Sequence, residues 1–236
     1  YSTHGPLFKR SLLAAYRSNQ SNLNPISENG KLKIYFPLHY QPELSTMPLG
    51  GEFSNQIKAI KLISDATPTD TRIFVKEHRA VFSGRRPVTS NYRTKEFYQR
   101  ISRIPKVELR PIEESSGFLQ QESNIIATIT GTAGLEAMLR GKPVVIFGQA
   151  TYENGPGVAR VKSAADFKNM LETQPSPVDT QEHLYAVRQF LLKIENSCYH
   201  LESPLPTAIS ERRTSFRTLL SESMVAAVDR IFSMTK

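Results

Sequence analysis

In the segment Ile129–Gly148, ITGTAGLEAMLRGKPVVIFG, a lone carboxylate follows a run of small residues between two apolar stretches. The first stretch reads as a strand, and Gly134 to Arg140 reads as a short helix. Glycine leaves backbone N–H groups uncovered at such a corner, because no Cβ blocks an approaching ligand. The helix N-terminus adds unpaired donors and the positive end of its dipole. Thr130, Gly131, Thr132 and Gly134 therefore suit a phosphate. Glu136, expected in the first helical turn, can accept two hydrogen bonds from a ribose diol. A second account stands level with this one. The dipole alone favours acids in first turns, and glycines permit tight packing of helix on strand.

Two further corners carry polar groups. Arg72-Ile-Phe-Val-Lys-Glu77 reads as a strand ending at His78. Alternation along it puts Lys76 and His78 on one face, where both could donate to a nucleotide phosphate. Stabilising the charge that grows on a leaving phosphate needs such groups and no metal. The competing account is a histidine bonded to a nearby carbonyl, with Lys76 solvated. The loop His39-Tyr-Gln-Pro-Glu43 follows the strand Lys33–Leu38, and its His39, Gln41 and Glu43 are unranked candidates for lining a donor sugar or its phosphate. Tyr152, in Tyr-Glu-Asn-Gly-Pro-Gly157, either stacks on a base or belongs to a plain turn. No HExxH, Asp-x-Asp pair or Gly-x-Ser-x-Gly elbow occurs, so neither a metal nor a cofactor is expected.

Strands and helices must hold these corners. Strands are expected at 33–38, 72–77, 107–109, 125–129 and 143–147. Helices are expected at 54–64, 93–104, 134–140, 163–172, 180–197 and 210–233, with a turn at 118–122. A further helical stretch, with Leu7, Leu12, Leu13 and Tyr16, precedes a polar linker from Ser18 to Gly30. The alternation predicts an α/β fold: a Rossmann-like, mostly parallel sheet with helices on both faces and a helical C-terminal third. Residues 1–30 form an N-terminal helix and linker, and 31–236 the ligand-binding domain. Ligands of such sheets bind outside the carboxyl ends of the strands, where all three corners fall.

Composition narrows the function. The chain has 236 residues, 39% of them hydrophobic, and no apolar run of membrane-spanning length. Tyr1-Ser-Thr-His-Gly-Pro6 shows no signal-peptide pattern, and the single Cys198 fits a reducing compartment. Of the net charge of +8, +6 falls in Ser83–Pro111, where eight basic residues face Glu96 and Glu108. Most of those cations are expected to be solvated. No nucleic-acid signature accompanies them, so nucleic acid is not expected as a partner, whereas an anionic membrane surface is compatible.

The opening segment resembles the nucleotide-binding region of capsule and surface polysaccharide biosynthesis glycosyltransferases of the GT-B fold. Tyr35-Phe-Pro-Leu-His-Tyr-Gln-Pro-Glu-Leu-Ser-Thr46, with Gly50-Gly51 and Gln56, resembles the first strand-loop-helix of their donor domain. Phe74-Val-Lys-Glu-His78 resembles the strand ending in their His-Pro motif, with Arg79 where that motif has proline. The resemblance implies transfer of a nucleotide-activated sugar, CMP-linked acidic sugars such as Kdo first and UDP- or CDP-linked donors second. It favours His78 as the catalytic group at the phosphate. It also implies a glycan or glycolipid acceptor held by an N-terminal domain or partner protein, and a cytoplasmic site at the inner membrane face. On this reading the chain is half of an enzyme. The alternatives are a non-catalytic nucleotide or polyanion module and a sugar-nucleotide epimerase, which needs no acceptor.

Overall fold

The computed structural model describes residues 6–21, 26, 31–43, 46–82, 92–173 and 180–197. The expected helix at 210–233, most of the linker, Cys198 and the arginines Arg85 and Arg86 lie outside them. The chain divides into two compact units, Tyr1–Ser176 and Pro177–Lys236. The first holds the sheet; the described part of the second is one helix, α7 (Thr180–Ser197).

Six strands form the sheet: β1 (Lys33–Pro37), β2 (Arg72–Lys76), β3 (Val107–Leu109), β4 (Ile125–Thr128), β5 (Val144–Ile146) and β6 (Val158–Arg160). Their order is β3-β2-β1-β4-β5-β6, and all five pairings are parallel. The order reverses between β1 and β4, which opens a crevice at their carboxyl ends. Right-handed crossovers then send helices to opposite faces on the two sides of that point.

One face is apolar. Ile34, Phe36, Ile73, Val75, Ala127 and Val145 join a core with Leu12 and Tyr16 of α1 (Pro6–Ser18) and Ile57, Ile60 and Ile63 of α2 (Gln56–Ala66). Tyr98 and Ile101 of α3 (Lys95–Ser102) and Phe167 and Met170 of α6 (Ala164–Thr173) complete it. Leu7, one of the apolar positions of the expected helical stretch, is 79% exposed. The other face carries α4 (Ser116–Glu122) against β1 and α5 (Thr132–Leu139) against β4 and β5. It is more polar: Arg72 and Arg110 flank the Phe74 ring and share Glu108.

Thr94 and Ser115 cap α3 and α4 by accepting from the N–H groups of Phe97 and Phe118. α5 begins at Thr132, two residues earlier than expected, with extended Gly131 as its cap. Glu136 therefore lies in the second turn. β6 was not expected: three residues with one β-branched side chain carry too little pattern to read as a strand.

Candidate functional site

The crevice at the strand switch is organised by His39, which is 8% exposed. The N–H of Ile129 donates to its Nε2 at 3.3 Å, so the neutral ring carries its proton on Nδ1. The Thr128 hydroxyl lies 2.8 Å from the same nitrogen and accepts from the N–H of Gly131 at 3.1 Å. The imidazole thereby clamps the turn from β4 into α5. Burial, with the charges of Arg93 and His78, lowers its pKa to about 4. His39 is thus a neutral buried residue at the edge of the site.

The glycines of the turn have packing reasons. A Cβ on Gly131 would lie 2.8 Å from Thr128 Oγ1 and 2.9 Å from the His39 ring, and one on Gly134 would run into Tyr152. Tyr152 is 3% exposed and its hydroxyl donates to the Gly131 carbonyl. It buttresses the turn, so the expected choice between stacking and a plain turn gives way to a third role. The N–H groups of Gly131 and Gly134 are likewise bonded internally, to Thr128 Oγ1 and to the Gly131 carbonyl. Those of Thr132 and Ala133 open α5, and the cap residue has no side chain to accept from them. Thr130 is half-buried and Thr132 exposed.

Behind His39 lies a buried network that sequence reasoning missed. The Glu77 carboxylate accepts from Arg93 Nε at 2.5 Å, Tyr98 Oη at 2.8 Å and the N–H of His78 at 2.7 Å. Arg93, expected among the solvated cations, has no exposed surface and stacks over the Phe97 ring at 4.5 Å. Its Nη2 donates to the His39 carbonyl at 2.6 Å and its Nη1 to Gln41 Oε1 at 3.3 Å. Gln56 closes the loop, accepting from the His39 N–H and donating to the His39 carbonyl and Gln41 Oε1. Gln41, 4% exposed, belongs to this framework. Lys106 and Arg110 also turn inward, to backbone carbonyls and to carboxylates. A buried carboxylate directly after β2 demands a cation, but nothing local in the sequence says which.

His78 is exposed and caps the 3-10 turn Arg79–Val81. Its Nδ1 accepts from the Ala80 N–H at 3.2 Å, which puts the proton of the neutral ring on outward Nε2. The ring meets the edge of Tyr40 at a centroid distance of 6.2 Å. The Arg79 guanidinium donates to the carbonyls of Ile112 and Glu113.

Lys76 is not solvated. It is 3% exposed and donates to Ser116 Oγ at 2.9 Å, at the start of α4. Burial, and then the charge of Arg79, lowers its pKa. Ser116 also bonds the Tyr35 hydroxyl, whose pKa burial pushes to about 12. Glu136, exposed on α5, lies on this side, with Gln120 Nε2 donating to its Oε2 at 3.1 Å. The dipole favours charges within the first turn and fades beyond it. A second-turn position removes that account of Glu136. The structure thus gathers His39, Gln41, His78 and the Thr128–Gly131 turn into one connected group, and Lys76 and Glu136 into another beside α4. An open cavity of about 340 Å³ adjoins Gln41, lined in part by Gln56, Tyr92, Thr94, Phe97 and Arg100. Among the described residues no helix is long and apolar enough to cross a membrane.

A parallel sheet of this strand order, with its polar groups collected at the switch crevice, is a doubly wound α/β domain of the Rossmann-like class. Over residues 23–192 the chain matches the profile of capsule polysaccharide biosynthesis proteins, and it belongs to that family. No curated protein matches it in sequence. Among solved structures it is similar to Thermosulfurimonas dismutans KpsC, a β-Kdo 2,7 transferase, at 13% identity and a TM-score of 0.44, over 77% of this chain and 51% of that one. A β-Kdo 2,4 transferase KpsC of the same organism gives 16% and 0.43, over 77% and 54%. UDP-GlcNAc 2-epimerase from Neisseria meningitidis, bound to UDP-GlcNAc, gives 16% and 0.41, over 79% and 48%. The chain spans about half the length of these proteins.

Proposed function

We propose that this chain is the donor-binding half of a GT-B glycosyltransferase of capsule or surface polysaccharide synthesis. It binds a nucleotide-activated sugar, CMP-linked acidic sugars such as Kdo ranking first and UDP- or CDP-linked sugars second. Membership of the capsule family supports the pathway. The observation that carries the binding reading is the α5 corner. Its first-turn N–H groups face no cap side chain, and one turn later Glu136 stands exposed where the dipole does not account for it.

On this reading the N–H groups of Thr132 and Ala133 meet phosphate, with Thr130, Gly131 and Gly134 shaping the turn that presents them. Glu136 accepts from the ribose hydroxyls. His78 donates from Nε2 to the leaving phosphate as its charge grows. Lys76 acts through Ser116, whose hydroxyl it polarises, while His39 and Gln41 hold the loops in place. The cavity beside Gln41 offers amide, hydroxyl and aromatic groups to a sugar. The glycan or glycolipid acceptor and the catalytic base come from an N-terminal domain or partner protein, on the cytoplasmic face of the membrane.

Calorimetric titration of the chain with CMP, CDP, UDP and GDP, to millimolar concentration, tests this reading. At least one should bind, and Glu136→Ala should weaken it by about 1–3 kcal/mol, the loss of charge-assisted hydrogen bonds. Binding by none of the four refutes it. Unchanged affinity in a folded Glu136→Ala variant removes the carboxylate from the site.

A further inference from the structure

Glu136 does not stand alone on its helix. Arg140, the C-cap residue of α5, lies four residues on, the spacing and order that favour a Glu–Arg ion pair on a helix surface. Both groups instead bond to a side chain from another helix. Arg140 Nη1 donates to Gln120 Oε1 at 2.9 Å, and Gln120 Nε2 donates to Glu136 Oε2 at 3.1 Å. Gln120 belongs to α4 and is 4% exposed. An arginine has donors only, so it fixes which end of the amide it meets. The carbonyl end must face Arg140, and the NH₂ end must then face the carboxylate.

We infer that Gln120 is a positioning residue for Glu136, interposed so that the carboxylate is held by a neutral donor and kept from collapsing onto Arg140. The inference deepens the nucleotide-binding reading and rests on it. One carboxylate oxygen is oriented by the amide, and the other is presented to a diol. Side chains on a helix lean toward its N-terminus, so a Glu136 released from Arg140 lies toward the phosphate-facing turn. Without the amide, the charged pair would close, swing the carboxylate toward the C-terminus of α5 and occupy the oxygens meant for ribose. Gln120 therefore sets the preference for ribonucleotide over 2′-deoxyribonucleotide without touching the ligand.

The test uses the full chain and whichever of CMP, CDP, UDP and GDP binds tightest, alongside its 2′-deoxy form. The original chain should prefer the ribonucleotide by about tenfold or more, the size of one charge-assisted hydrogen bond. Gln120→Met, close in volume and without a donor, should bring that ratio to within about threefold of Glu136→Ala, weakening the deoxynucleotide less than the ribonucleotide because it offers the carboxylate only its 3′-hydroxyl. Gln120→Leu, likewise without a donor and leaving Arg140 unmatched, should lower the ratio too and serves if the methionine variant does not fold. Adding Arg140→Ala to Gln120→Met should restore most of the ratio, because no cation remains to capture the carboxylate. A purely structural glutamine would weaken both nucleotides equally and show no rescue. If Glu136→Ala lowers the ratio and the Gln120 variants do not, the inference fails. If Glu136→Ala leaves the ratio unchanged, the reading beneath it fails instead.

Discussion

Acidification should destabilise this protein through one imidazole. Burial, with the charges of Arg93 and His78, holds the His39 pKa at about 4 in the folded chain. An unfolded chain returns it to about 6.5. Above pH 6.5 both states carry a neutral ring, and its contribution to stability is fully present. Between pH 6.5 and about 4 the unfolded state takes up a proton that the folded state refuses, so stability falls as pH falls. Below about 4 both states are protonated and the loss levels off. A shift of ~2.5 units corresponds to ~3 kcal/mol in all, accumulating at up to about 1.4 kcal/mol per pH unit. Urea unfolding of the original chain and of His39→Gln between pH 7 and pH 4.5 measures it. Glutamine can still accept from the Ile129 N–H and does not titrate in this range. The two stability curves should converge as pH falls, because carboxylates common to both proteins cancel in the difference. Parallel curves would refute the placement of a neutral His39 inside the clamp.

Arg93→Met should cost about 3–5 kcal/mol, because it strands the Glu77 carboxylate without its cation. The double variant with Glu77→Gln should lose clearly less than the sum, and additivity within about 0.5 kcal/mol in a denaturation cycle would refute the buried pair. Gly134→Ala should destabilise by about 1–3 kcal/mol through its clash with Tyr152, and less in a Tyr152→Ala background. Equal costs in both backgrounds would show that the glycine serves something other than this packing.

What could be read from the sequence was local. β1, β2 and β4 are apolar runs rich in Ile, Val and Phe, and α2 repeats isoleucine at helical spacing, so most elements and the parallel sheet followed from pattern. The polar loops at the strand ends could be placed as well, because each follows directly on a strand read from its apolar run. The bonds that organise the corners did not. His39 meets Thr128 across 89 positions, and Arg93 meets Gln41 across 52. Nothing in the basic stretch distinguished Arg93, fully buried, from Arg103, exposed. The start of α5 was misplaced because Gly134 looked like the corner glycine. Gly131 has that role, and Gly134 makes room for Tyr152, a residue whose own position is set by a loop after β5.

Arg79 shows how this chain solves a local problem by another route. Proline after the histidine, as in the motif that Phe74–His78 resembles, would lock φ at the first position of the turn, where a missing N–H costs nothing. Here His78 caps that turn through its own Nδ1, and Arg79 reaches across to the carbonyls of Ile112 and Glu113. The stiffness a proline ring supplies covalently comes instead from two hydrogen bonds to the loop after β3. That loop also carries Glu114, which grips Arg110 with both oxygens, so the anchor is itself fixed to the sheet. From the other side, the Glu77 carboxylate accepts from the His78 N–H and the Arg93 guanidinium. His78 is therefore held at its backbone from both sides while its Nε2 faces outward. A guanidinium engaged in holding that loop is a different device from one reaching for phosphate, and its two carbonyl bonds are what place Arg79 in the first class.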